Sequence, residues 1–184
     1  MINREEALVL LNKYLKDEKL LKHSIAVEAI MKALARRLGM NENKWGLTGL
    51  LHDLDYEYTK EKPHLHGVTS AEILQDLLPE ESIEAIKSHN YLHTQRLPLT
   101  ELDKALLAAD AVSGLIIAIT LVMPNKKLSE VKIDTLRTKF KDNSFAKGCN
   151  RERIKLCEDL GLSIEEFLSI SLEALKEESD KLGL

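Results

Sequence analysis

Aromatic side chains make up only 4% of this 184-residue chain, whereas Leu, Ala, Glu and Lys are common, a balance that favours helix. Sustained period-two alternation, internal repeats and low-complexity linkers are all missing, which leaves an all-α, single-domain reading. There is no basic excess. The formal net charge is −4, so no nucleic-acid polymer is expected as a partner. Cysteine is limited to Cys149 and Cys157, without Cys-x-x-Cys spacing, so free thiols in a reducing compartment are expected. The start, Met1-Ile2-Asn3-Arg4-Glu5-Glu6, lacks the basic opening and apolar run of a signal peptide, and a cytoplasmic location is expected.

What is present is ordinary globular usage, 44% hydrophobic and 30% charged, in a chain long enough to bury a core. The single long apolar run, Ala105 to Met123, has the length of a membrane span but carries Asp110, Ser113, Gly114 and Thr120. A lone Asp near a bilayer centre costs roughly 2.5–3.5 kcal/mol, which Ala-rich sequence recovers poorly. A buried central helix is expected, and no membrane partner.

The remaining helices follow from their caps. Asn3 with Glu6 opens a first helix with Ala7, Leu8, Leu11 and Leu15 inward; a second runs from about Leu20 to Leu38, with Ile25, Ala29 and Ala33 buried and Gly39 as its stop. Asn41 or Asn43 caps a third, ending at His52-Asp53. Residues 54–68 form the longest polar connection, a natural place for substrate contacts. Thr69 or Ser70 caps Ala71 to Leu78; another helix spans Ser82 to about Asn90; Thr100 with Asp103 starts the apolar helix, which Pro124 ends. Val131 to Phe140 reads as amphipathic, and Ser163 with Glu166 caps a final helix, Ile164 to Leu182. Lys139, Lys141, Lys147, Arg151 and Arg153 make the C-terminal part the most basic region.

The stretch that carries chemistry is Leu50-Leu51-His52-Asp53-Leu54-Asp55-Tyr56-Glu57, where an apolar run ends in an imidazole and a carboxylate. Neighbours on a helix point about 100° apart, so both cannot face one core, but both can face a metal ion. Asp110, inside Leu106-Leu107-Ala108-Ala109-Asp110-Ala111-Val112, must be paired, protonated or metal-bound. His23 alone is a weak signal, since a helical His is more often a satisfied core or surface residue than a ligand. His64 and His66 lie in the polar connection. His89 and His93 are one turn apart but lack the glutamate of a zinc-protease motif.

The ordered series His23, His52-Asp53, His66, His89, Asp110 resembles the HD domain superfamily of metal-dependent phosphohydrolases. The segment His66-Gly67-Val68-Thr69-Ser70-Ala71-Glu72-Ile73-Leu74 looks like the one after the HD pair in the HDIG branch. Ile86-Lys87-Ser88-His89 looks like its next histidine, and Ala108-Ala109-Asp110-Ala111-Val112 like its closing segment. Leu54-Asp55 stands where Ile-Gly is usual, and Asn90 where a second histidine often sits, which argues against cyclic-dinucleotide chemistry. The resemblance covers about residues 20–120, with a C-terminal helical extension over about 125–184.

The resemblance implies an HD-type helical bundle around one or two divalent transition metals, iron, manganese, nickel or zinc. His23, His52, Asp53 and Asp110 would hold the first; Asp53 would bridge to a second on His66 and His89. It implies metal-activated hydroxide attack on the phosphorus of a small phosphorylated metabolite or nucleotide. Asp53, Asp55 and Glu57 are the candidate catalytic carboxylates, and Lys139, Lys141, Lys147 and Arg151 the candidate phosphate contacts. The same series also resembles di-iron oxygenases of the inositol oxygenase and phosphonate-cleaving type, and a nucleotide-sensing module is a third possibility. A monomer or homodimer is expected.

Overall fold

Capping side chains open the longest helices of the structure, a computed structural model that describes residues 1–184. Every regular element is helical: α1 (Arg4–Tyr14), α2 (Glu18–Leu38), α3 (Glu42–Leu51), α4 (Tyr56–Thr59), α5 (Val68–Leu74), α6 (Glu80–Ser88), α7 (Tyr91–Thr94), α8 (Glu101–Val122), α9 (Ile133–Lys141), α10 (Arg151–Lys155), α11 (Ile164–Glu177) and α12 (Ser179–Leu182). Short 3-10 turns lie at Pro63–Leu65, Leu128–Glu130 and Leu156–Leu160. Asn3 and Glu6 exchange hydrogen bonds at 3.0 and 2.8 Å ahead of α1. Thr100 and Asp103 do the same ahead of α8, and Asn41 accepts from the Lys44 N–H ahead of α3.

Four expectations are corrected. The Ser163 cap accepts from the Glu166 N–H, but Glu166 does not reciprocate: it is taken by Arg37 at 2.7 Å. The last helix then breaks at Glu178 instead of running on to Leu182. The helix expected from Ala71 begins at Val68, behind Gly67, without a cap from Thr69 or Ser70. On α2 the fully buried apolar residues are Ala26, Val27, Ile30, Met31, Leu34 and Ala35, while Ile25, Ala29 and Ala33 are half-buried at the edge. The cause is that α2 packs against three long helices at once, α3, α8 and α11. A Cβ on Gly49 would lie 2.9 Å from Met31 Cγ and 3.0 Å from the Val27 carbonyl oxygen. Glycine is what lets α3 come that close to α2.

Two apolar clusters flank the chain's polar centre. One joins α1, α3, α5 and α6 through Leu11, Leu50, Leu54, Leu74 and Ile86. The other joins α2, α8 and the C-terminal extension through Ile30, Val112, Ile116, Ile154 and Phe167. Burying each such side chain contributes roughly 1.5–3 kcal/mol. Helix α8 is long and apolar enough to cross a membrane by length and composition. Its Leu106, Ala109, Val112, Leu115 and Ile119 are instead fully buried, and it packs on α2, α6, α10 and α11 as the bundle's central helix.

Candidate metal centre

The fold brings His23, His52, Asp53, His66, His89 and Asp110 together from five separate places in the chain. His23 stands on α2 and Asp110 on α8; His66 precedes Gly67 at the start of α5. His52 and His89 occupy equivalent positions, each the residue that closes a helix, α3 and α6. Carbonyls in a helix's last turn lack partners along the helix. Each of these histidines supplies one: His52 Nδ1–H donates to the Gly49 carbonyl at 2.8 Å, and His89 Nδ1–H to that of Ile86 at 2.5 Å.

This fixes the tautomers. Carbonyl and carboxylate oxygens only accept, so the proton must sit on Nδ1 and the lone pair on Nε2. The other two histidines follow the same rule. His66 Nδ1–H donates to Asp55 Oδ1 at 2.8 Å. The Ser113 hydroxyl donates to the Asp110 carbonyl at 2.8 Å, so its oxygen accepts from His23 Nδ1–H at 3.3 Å.

All four Nε2 atoms therefore turn toward the two carboxylates. Asp53 Oδ1 lies 3.3 Å from Nε2 of His52, of His66 and of His89, and Asp53 Oδ2 lies 3.6 Å from His23 Nε2. Asp110 Oδ1 is 3.2 Å from His23 Nε2 and 3.9 Å from His52 Nε2. The Nε2 atoms of His66 and His89 are 3.0 Å apart. Lone pairs facing lone pairs and carboxylates repel unless a cation or proton lies between them. The buried His52 Nε2 has no hydrogen-bond partner, which suits an atom that ligates a metal. The donors fall into two groups, His23 with His52 and Asp53, and Asp53 with His66 and His89, each with ligand atoms within 4.8 Å of one another. Asp53 is common to both. Imidazole with carboxylate is a donor set that fits a divalent transition metal.

Without an ion, protons take up the charge. Burial pushes His52 down to about 4. Burial also opposes a charge on His66, but hydrogen bonds to Asp53 and Asp55 overcome it and push this imidazole up to about 10. Burial would raise Asp53, yet His52, His66, His89 and His23 around it hold it well below the usual carboxylate range. A metal entering between His66 and His89 must displace the His66 proton. Below about pH 10 its affinity should fall about tenfold for each unit of acidification, with one proton released per ion. Above that pH the imidazole is already free and the dependence vanishes. Calorimetry in buffers of different ionisation enthalpy reads the proton count, and no release at pH 8 would contradict this account.

Asp55 lies outside this donor set but holds it in place. It is fully buried. Its Oδ1 accepts from His66, and its Oδ2 accepts from the N–H groups of Gly67 and Ser70, both at 2.8 Å. Those amides open α5, so one carboxylate aims a histidine and caps the helix that follows it. Gly67 has φ 83°, and a Cβ there would meet the Ile86 carbonyl oxygen at 2.8 Å, so the turn requires glycine. Asn90, where the resemblance leads one to look for histidine, donates its amide to the carbonyls of Pro63 and His66 at 2.7 and 3.0 Å and clips the turn in place. Asp55→Asn should lower metal affinity at the His66 position by about 10–100-fold, because an amide cannot accept from both sides. Metal titration of the variant checks this, and wild-type affinity would remove Asp55 from its role.

Other expected site residues are placed elsewhere. Glu57 accepts from the N–H groups of Lys16 and Asp17 at 3.1 and 2.7 Å and holds the α1–α2 turn. Arg151 donates to the backbone carbonyls of Lys139, Phe140, Asp142, Phe145, Ala146 and Cys149, which leaves it no donor for substrate. Lys139 covers the Phe145 ring at 4.7 Å, and Lys141 and Lys147 are exposed and do not line the site. His64 and His93 are also exposed. The cation that does reach the centre is Arg153, whose Nη1 is 3.6 Å from Asp110 Oδ2. Arg151 and Arg153 are two residues apart at the start of α10 and so face nearly opposite ways. That spacing was the only sequence signal separating them. The segment 54–68 gives the metal mouth Tyr56 and His66, while the larger adjoining cavity, about 560 Å³, is walled by residues 146–153 instead.

Comparison with known proteins adds ancestry to this geometry. The model of the HD domain family matches residues 20–115. Ribonuclease Y of Thermosipho melanesiensis is 30% identical over 175 residues, covering 82% of this chain and 32% of that protein. Ribonuclease Y of Nitratidesulfovibrio vulgaris is 33% identical over 98 residues, and that of Fervidobacterium nodosum 34% over 98, each covering 53% of this chain and 18% of the relative. The chain thus spans about a third or less of the length of these curated relatives. No solved structure matches it.

Proposed function

This chain belongs to the HD domain family, a family of metal-dependent phosphohydrolases, and from that membership we propose that it hydrolyses a phosphoester of a small metabolite or nucleotide at the His/Asp centre. The observation that carries the reading is the convergence of four imidazole Nε2 atoms on Asp53 and Asp110, with every Nδ1 tied to an acceptor of the protein. His23, His52, Asp53 and Asp110 would hold one ion, and Asp53, His66 and His89 a second. Ions so held lower the pKa of water and offset charge on phosphoryl oxygens.

The protein's own groups do the rest. Hydrogen bonds from Nδ1 keep the four rings aimed, so no reorganisation is needed when charge develops. Asp55 and Asn90 hold the His66 turn. Tyr56, Asn90 and Arg153 rim a depression of about 350 Å³ over the centre, and Arg153 brings a fixed positive charge beside the Asp53 and Asp110 carboxylates. By name the matched relatives are ribonucleases, and phosphodiester cleavage is chemistry that such a centre supports. A net charge of −4 and so small a mouth favour a small substrate over a polymer.

The test is phosphate release from phosphomonoesters, diesters and nucleotides, with iron, manganese, nickel or zinc supplied. Turnover that tracks metal content is expected. No release from any member, with substrate-dependent oxygen uptake by the iron-loaded protein, would replace hydrolysis by an oxygenase reaction.

A further inference from the structure

The cavity beside Asp110 is built largely by the C-terminal extension, beyond the residues that the family model matches. Its position follows from α8. Gly114 is one turn after Asp110, so the two share a face of the helix. A glycine inside a helix weakens it, and close packing is the usual reason to keep one. No such reason exists at Gly114: a Cβ built there meets nothing within 4 Å. The missing side chain leaves open space next to a candidate metal ligand. Gly148 lies in the opposite wall and likewise has nothing within 4 Å of its Cβ position.

Arg153 stands where this cavity meets the metal mouth and lines both. Its guanidinium sits 5.6 Å from the centre of the Tyr91 ring, which fixes its plane. Its one carboxylate neighbour, Asp110 Oδ2, is 3.6 Å away, too far for a hydrogen bond, and its buried Nε has no partner. A guanidinium with idle donors beside the carboxylates that would hold the metals suits a phosphoryl oxygen. Beyond it, Asn150 Oδ1 accepts from the N–H groups of Glu152 and Arg153 at 3.0 and 3.2 Å, which leaves its amide hydrogens to donate. No Phe, Tyr or Trp lines the cavity; its one ring, His23, turns Nε2 to Asp110 as a candidate ligand, and its one guanidinium is the Arg153 that lies against Tyr91, so a nucleobase would find no free platform to stack on.

We propose that Arg153 anchors the substrate phosphate and that the Gly114 cavity receives a compact, oxygen-rich substituent, making the substrate a polyol or hydroxy-acid phosphomonoester rather than a nucleotide. This rests on the phosphohydrolase reading. The experiment separates the two by measuring binding apart from turnover. Inorganic phosphate, glycerol phosphate and adenosine monophosphate are titrated into the metal-loaded full chain by calorimetry, with metal content determined on each sample. Arg153→Gln should weaken inorganic phosphate at least about tenfold at unchanged metal content, and Arg153→Lys should recover part of the loss. Gly114→Leu should leave inorganic phosphate unaffected and erase the extra affinity of glycerol phosphate over it. Unchanged phosphate affinity in Arg153→Gln, or a loss of metal there, would make Arg153 only the ion-pair partner of Asp110 and overturn the proposal. Adenosine monophosphate binding more tightly than glycerol phosphate, indifferent to Gly114→Leu, would overturn the substituent class. Phosphate binding that needs Arg153, in a protein that cuts none of the esters, would sink the hydrolase reading and leave the anchor standing.

Discussion

Asp53→Ala should give a folded helical protein that binds no metal and has lost activity by about 10³-fold or more. No other side chain stands in both donor groups, and its Oδ1 is equidistant, at 3.3 Å, from three imidazoles. Removing it leaves four Nε2 lone pairs facing one another with only Asp110 to offset an ion's charge. The fold should survive, because the neighbours that pack, Leu50, Leu51 and Leu54, belong to an apolar cluster that does not include Asp53. His66→Ala is the informative contrast: it should remove one ion and leave the His23, His52, Asp53 and Asp110 position filled. Elemental mass spectrometry and far-ultraviolet circular dichroism read both variants. Wild-type metal content in Asp53→Ala would contradict the proposed centre, and an unfolded variant would show that the carboxylate is structural.

Among the candidate ligands, the His52-Asp53 pair and Asp110 were legible by chemical type, whereas His23, His66 and His89 were legible only through the ordered series that resembles the HD domain superfamily. A carboxylate inside Ala108-Ala109-Asp110-Ala111-Val112, and a His-Asp pair at the end of an apolar run, each demand a polar partner wherever the chain folds. Asp55 was expected as a catalytic carboxylate beside the metal pair, and only the folded turn shows it buried and accepting from the N–H groups of Gly67 and Ser70. Cations are the least legible of all. The chain has 26 Lys and Arg residues, and their long side chains reach partners that spacing does not specify. Arg151 and Arg153 illustrate it: adjacent in composition, one is taken up by carbonyls and the other is left with idle donors. The inward face of α2 was displaced by one position because periodicity assumes a single covering partner, whereas α3, α8 and α11 all pack against it.

Arg151→Ala should destabilise the protein by about 3 kcal/mol while leaving metal content intact. The five N–H groups of this guanidinium serve six carbonyls between Lys139 and Cys149, the shortest at 2.7 and 2.8 Å, to Phe145 and Ala146. They gather a turn that strains on its own, since Ala146 sits at φ 46°, a conformation that side chains with a Cβ rarely adopt. Truncation leaves the carbonyls to recruit water and frees the turn to relax. Lysine should rescue little, because a point charge with three donors cannot span the arc that a planar fork covers. The candidate metal ligands all lie between His23 and Asp110, outside this segment, so the ions should stay. What should be lost is the cavity wall at Ala146, Gly148, Cys149 and Asn150, and with it the extra affinity for phosphate esters over inorganic phosphate. Urea denaturation gives the stability change and calorimetry the affinity. An unchanged urea midpoint would mean that the turn holds itself, and the extension would then shape the site through Arg153 alone.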